Sequence, residues 1–268
     1  MTVLMPDVRK HVPPEPLNLR KSLSRIDSAP AKPVKRRLAL FCSLLLLLLA
    51  VVPAHAAATP EYVILVGGPS LMQWEKYKGA AAHDFWWANF VRAGRIRTEQ
   101  LREKFGPEAK ITWLVYKKGY VDRGAQEKAD LIGHINSVRD KFNLNLVYFD
   151  KGPEVIDYLN NGQPRDQVKI AFFEFFGHSN RACFMFDYSN GMDSASKSWL
   201  HESELVKIKK SNFTRDANIR SWGCHTGEMM SKKWREAIGN RMWGVIGKTQ
   251  YMTHELPVIS TPGGKWAY

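Results

Sequence analysis

The chain has 268 residues, a formal charge of +13 and 12% aromatic residues, a composition that excludes a disordered tail and leaves length for one domain with a sizeable core. Nine basic and three acidic residues fall in residues 1–57, so the remainder carries only about +7. That charge is scattered over Lys117-Lys118, Lys207-Ile208-Lys209-Lys210 and Lys232-Lys233 on what should be solvated faces, which argues against a nucleic-acid partner.

Residues 1–37 are polar and basic and end in Lys35-Arg36-Arg37; residues 38–52 are almost wholly apolar, with six leucines in succession, and Pro53 and Ala54-His55-Ala56 follow. A basic flank, a short apolar core and small residues before a cut are the parts of a secretory signal. The core is too short to span a bilayer comfortably. Residues 1–56 are therefore expected to be an extension and signal, cleaved after Ala56, with residues 57–268 as the exported domain, periplasmic or extracellular. Membrane contact is expected only through the signal if it stays uncleaved as an anchor. Cys42 would leave with it, and the remaining Cys183 and Cys224 do not make a disulfide scaffold.

Beyond residue 57, apolar runs of strand length alternate with helical patterns. Residues 62–66 (YVILV) run into Gly67-Gly68-Pro69. Residues 80–92 and 98–104 have helical spacing, 111–116 (ITWLVY) reads as a strand, and 126–141 as a helix. Residues 144–149 form another strand, 153–159 a short helix opened by proline and followed by Gly162, and 168–176, 219–223 and 243–246 complete the set of six strands. Strands separated by helices imply an α/β protein with a mostly parallel central sheet and helices on both faces. In such sheets, sites form at the carboxyl ends of the strands.

Two strands end in reactive residues. The run 168–180 (VKIAFFEFFGHSN) ends in Gly177-His178-Ser179, and the run 217–228 (ANIRSWGCHTGE) ends in Gly223-Cys224-His225. As parallel neighbours they would place His178 and Cys224 side by side, a base and a nucleophile. An ordinary thiol is only a few per cent thiolate at neutral pH, so a catalytic cysteine needs a base or a helix amino terminus. Residues 226–238 have a helical pattern, which would put Cys224 near such a terminus and its N–H groups near a developing oxyanion. Gly223 and Gly227 would let the backbone turn tightly. Glu174 and Arg220 each lie four residues before the reactive residue, so in register they would face each other as an ion pair beneath the site, with Trp222 on the same strand face.

The order strand-Gly-His, then strand-Cys-x-x-Gly, resembles the caspase-like cysteine peptidases, the group that includes caspases, metacaspases, gingipains and clostripain. Cys224-His225-Thr226-Gly227 is similar to the Cys-His-Ser-Gly of metacaspases, and Phe176-Gly177-His178 to the hydrophobic-Gly-His that carries their catalytic histidine. The resemblance implies a three-layer sandwich with a sheet of about six strands. It implies an endopeptidase in which Cys224 attacks a peptide carbonyl, His178 moves the proton, and Cys224 and Ser179 amides hold the oxyanion, with Gly177 and Gly223 as the supporting backbone positions. A strand at 184–188, a turn at Ser189-Asn190-Gly191 and a helix at 200–209 fit what that fold places between its catalytic strands. Ser179 stands where family members usually carry glycine.

Other readings compete at single residues. A lone cysteine at a strand end is commonly packing, as Cys183 on its aromatic strand is expected to be. His178, Cys183, Cys224 and His225 match no zinc spacing, and Asp187 to Asp193 hints at a calcium loop whose glycine is one place early, so no metal or organic cofactor is expected. His225 is a rival base by adjacency. His83-Asp84 reads as a helix start, and a nucleophile elbow fails because Trp222 and Thr226 occupy its glycine positions. The expected partner is a peptide or protein substrate; the alternatives are a peptide-binding module without catalysis and transfer or hydrolysis of a non-peptide acyl group.

Overall fold

The apolar runs become the strands of one central sheet in a computed structural model that describes residues 58–72, 86–187 and 198–268, all within the unit Ala56–Tyr268. In chain order, β1 (Thr59–Val66) is followed by α1 (Asn89–Phe105), β2 (Lys110–Tyr116), α2 (Lys117–Glu127), α3 (Leu131–Phe142), β3 (Asn145–Phe149), α4 (Gly152–Asn161) and β4 (Val168–Phe176). Next come β5 (His178–Ser179), β6 (Cys183–Met185) and β7 (Trp199–His201), two 3-10 turns (Glu202–Lys207 and Lys210–Asn212), β8 (Phe213–Ser221) and α5 (Met230–Ile238). The chain continues as β9 (Met242–Ile246), β10 (Thr249–Gln250), β11 (Val258–Ile259) and β12 (Lys265–Ala267).

The sheet order is β12-β9-β8-β4-β1-β2-β3. Every neighbouring pair is parallel except β12 with β9. All six expected strands are present; the seventh, antiparallel β12, is a correction, and three residues after two glycines gave no periodicity to find. The short strands β5, β6 and β7 make their own sheet, as do β10 and β11.

A strand covered on both faces needs apolar residues at every position. In β1, Val63 and Leu65 enter one core cluster with α4 and α5, while Tyr62, Ile64 and Val66 enter a second with α1, α2 and α3. Helices on both faces of the sheet are compatible with a three-layer α/β arrangement. Each fully buried Leu, Val or Phe contributes about 1.5–3 kcal/mol, and the wholly buried Trp113 and Trp234 lie one in each cluster.

The helices differ more from expectation. The stretches around 90 and 98–104 form one helix, along which the Trp113 indole passes 3.3 Å from where a Cβ on Gly94 would lie and donates its N–H to Thr98 Oγ1 (2.9 Å). The expected helix 126–141 is instead two: Lys128 turns left-handed at φ 54°, and Asp130 caps the second by accepting from Gly133 N–H (2.7 Å). Residues 200–209 are a strand end and 3-10 turns, with Ile208 extended and buried. Residues 38–56, His83-Asp84 and Asn190-Gly191 lie outside the described residues. Among the described residues no helix is long and apolar enough to cross a membrane.

Candidate active site

β4 and β8 run side by side, with Glu174 opposite Arg220 and Phe175 opposite Ser221. The Trp222 N–H still donates to Phe175 O (2.9 Å), so both chains leave the sheet at the same carboxyl edge, one into His178 and the other into Cys224. The tips are tied together: Ser179 Oγ donates to the Cys224 carbonyl (2.7 Å). A Cβ on Gly223 would lie 2.2 Å from that hydroxyl oxygen, so glycine at 223 is a condition of the closure.

Cys224 is half-buried and free, as is Cys183. The Thr249 N–H points at Cys224 Sγ (3.4 Å), while the Thr249 hydroxyl, 3.6 Å from the sulfur, donates to Trp222 O (2.8 Å). The expected helix start is corrected here: residues 224–229 are turns and α5 begins at Met230, so the first turn of a helix does not reach Cys224. A strand-end amide holds the place given to it. The Cys183 thiol is pushed up to about 11 by burial and then by Glu202 and Glu204.

His178 sits at the topological switch point, where the sheet order turns back between β1 and β4 and where ligand crevices form in open α/β sheets. Its Nε2 is 3.1 Å from Ser70 Oγ, and the edge of Phe90 meets the ring at a centroid distance of 4.9 Å. Ser70, 1% exposed, belongs to the loop that leaves β1. That loop is clamped from α2, since Arg123 donates to Ser70 O (2.8 Å) and Tyr120 to Gly67 O (2.9 Å). A third group orienting the imidazole was not read from the sequence; the signal was Gly67-Gly68-Pro69-Ser70 directly after a buried strand.

The expected oxyanion positions separate. The Gly177 N–H donates to Tyr251 Oη (2.9 Å) and the Gly223 N–H to Ser221 Oγ (3.2 Å), so both amides have acceptors within the protein. Ser179 differs: Asn180 N–H pairs with Cys183 O, and antiparallel ladders alternate, so Ser179 opposite Phe184 occupies a non-bonded position and turns its N–H away from β6.

The Glu174–Arg220 register is as expected, but the ion pair is not. Glu174, 1% exposed, is bridged by Arg97 of α1, whose Nε lies 2.7 Å from Oε2. The Arg220 guanidinium instead lies over the rings of Trp222 (5.4 Å) and Trp266 (5.0 Å), and its Nε has no hydrogen-bond partner among the described residues. Sequence register could not foresee a cation from the helix layer or an aromatic face from β12. Burial raises the Glu174 carboxyl above its ordinary range, and Arg97 and Arg220 draw it back. Trp222 is buried and stacks on Phe176 at 6.2 Å beneath the site.

His225 takes a left-handed conformation (φ 64°) and its Nδ1 contacts Glu228 Oε1 (2.6 Å), so that nitrogen is engaged away from the thiol. The same contact holds the Glu228 carboxyl below its usual range. Among the described residues no three His, Cys, Asp or Glu side chains are grouped to hold a metal ion.

Fold and site together describe an α/β protein that presents a thiol and an imidazole at the carboxyl ends of adjacent parallel strands. Comparison with protein families, curated proteins and solved structures finds no match to this chain.

Proposed function

We propose that this protein is an exported, caspase-like cysteine endopeptidase acting through Cys224 and His178. The observation that carries the reading is the placement of both residues at neighbouring strand tips beside the switch point, with the Thr249 N–H aimed at the sulfur. In this reading His178 takes the thiol proton as Cys224 Sγ bonds to the peptide carbonyl carbon. The negative charge moves to the carbonyl oxygen, where the Ser179 and Cys224 amides receive it. His178 then returns the proton to the departing amine, and water releases the acyl group from sulfur by the same steps in reverse order. Ser70 supports the imidazole throughout from Nε2. The substrate is a peptide or protein, and no cofactor takes part.

One observation favours the second reading, a peptide-binding module: the Gly177 amide is satisfied by Tyr251 and the Ser179 hydroxyl is bonded to the Cys224 carbonyl, so the groups at the strand tips are already paired within the protein. The test is cleavage of a mixed peptide library by the chain under reducing conditions, beside Cys224→Ala, His178→Ala and Ser70→Ala. The expected result is cleavage abolished in the first two variants and slowed about tenfold in the third, short of the roughly 10²–10⁴-fold contribution of an acid–base group itself. A folded protein that cuts nothing, with Cys224 no more reactive than a model thiol, would replace the peptidase reading with the binding one.

A further inference from the structure

A second hollow lies at the amino-terminal edge of the sheet, and two irregularities of the strands produce it. β4 and β8 pair at Ile170–Phe213, after which the register jumps to Phe172–Asn218, so residues 214–217 of β8 bow outward against Ala171 alone. β1 also skips Ala171, passing from Glu61–Ile170 to Tyr62–Phe172. Bulges bend a strand and recur beside functional sites. Here they open a cavity of about 460 Å³ between β8 and α1, within the range of roughly 300–1,000 Å³ typical of small-molecule sites.

The lining is of two kinds. Tyr62, Phe105 and Phe172 make an aromatic wall, with Tyr62 centred 4.7 Å from Phe105 and 6.3 Å from Phe172. Phe105 is 44% exposed, an apolar face left to water. Arg97 lies 5.7 Å from the Phe172 ring and Lys104 Nζ 5.0 Å from the Phe105 ring. Thr214 Oγ1 is buried at the same hollow without a hydrogen-bond partner among the described residues. Among the described residues Asp216 is the one carboxylate of the lining. Counting buried Glu174, which pairs with Arg97, and the half-buried Arg220 that interacts with both, cations exceed carboxylates among the described residues: Arg97, Lys104 and Arg220 against Glu174 and Asp216.

From this we infer that the hollow binds a small molecule with a flat aromatic body and a single anionic head, a carboxylate or a phosphate. The ring covers Phe105 and lies along Tyr62 and Phe172; the head meets Lys104 and Arg97, with the Thr214 hydroxyl as donor. Shape and charge both follow from the lining, since aromatic faces select flat rings and a cation beside them selects an anion. The site stands at the opposite edge from Cys224 and does not depend on peptidase chemistry.

The probe is 2-naphthoate, titrated into the full chain by calorimetry and by amide NMR, with 2-naphthalenemethanol as the neutral ring and acetate as the head alone. Saturable 2-naphthoate binding that moves the Ala171, Phe172 and Thr214 resonances is expected, with no such response to acetate. Lys104→Glu, on an exposed side chain, should weaken binding about tenfold, or about 1.4 kcal/mol, without lowering the melting temperature. The proposal is overturned by the absence of saturable binding, by equal affinity for the neutral alcohol, or by indifference to Lys104→Glu.

Discussion

The thiols of Cys183 and Cys224 differ in what surrounds each sulfur. Burial and the carboxylates of Glu202 and Glu204 push Cys183 up to about 11, while Cys224 faces an amide donor from Thr249. At pH 8 a thiol with that value is about one part in a thousand thiolate, and the thiolate is the species that alkylates. Iodoacetamide at pH 8 should therefore mark Cys224 and spare Cys183 on peptide mass mapping, with Cys183 labelling rising as the pH approaches 11. Equal labelling at pH 8 would contradict the assignment. The placement of Cys224 and His178 at neighbouring strand tips was legible because each follows a glycine at the end of an apolar run. Ser70 and Thr249 were not, because nothing local distinguishes a serine or threonine that reaches its partner across the fold.

Elements explain the contact between the tips of β4 and β8. Ser179 Oγ can reach the Cys224 carbonyl only because residue 223 has no side chain. Gly223→Ala is expected to destabilise by about 1–3 kcal/mol, the usual effect of forcing an extra carbon into a filled space. Adding Ser179→Gly should recover most of that loss, a coupling between neighbours that urea melts of the two single variants and the double variant would measure. Additive losses would place the strain elsewhere. Strands were read more faithfully than helices for a physical reason. A strand buried on both faces writes an unbroken apolar run such as VILV in β1, whereas the break between α2 and α3 rests on one left-handed residue and one aspartate cap. Likewise α5 starts after a series of turns whose bonds, Thr226 Oγ1 to Gly223 O and Glu228 N to His225 O, leave no periodic trace.

At the scale of the molecule, the amino-terminal edge is held by a buried polar knot. Glu61, 0% exposed, is bridged by Arg165 and accepts from Thr112 Oγ1 (2.7 Å) and Tyr158 Oη (2.6 Å). It joins β1, β2, α4 and the turn before β4. Arg165→Met would leave that carboxylate without its counter-charge and should cost about 3–5 kcal/mol, whereas the double variant Glu61→Gln with Arg165→Met should recover much of it. Equal stability of Arg165→Met and the unaltered chain in guanidinium unfolding would show that the two hydroxyls alone suffice. The sheet order itself was not legible, because which strand lies beside which depends on crossovers rather than on any run of residues.

That order has a consequence in time. β1 occupies an interior place between β2 and β4, yet β4 is made only after α1, β2, α2, α3, β3 and α4 have left the ribosome. At about 5–20 residues per second, one flank of an apolar strand waits roughly 5–20 s for its partner. Until then the half-built sheet shows a bare edge of Val63, Ile64, Leu65 and Val66, which is where a nascent-chain chaperone, or a neighbouring copy, would find it first.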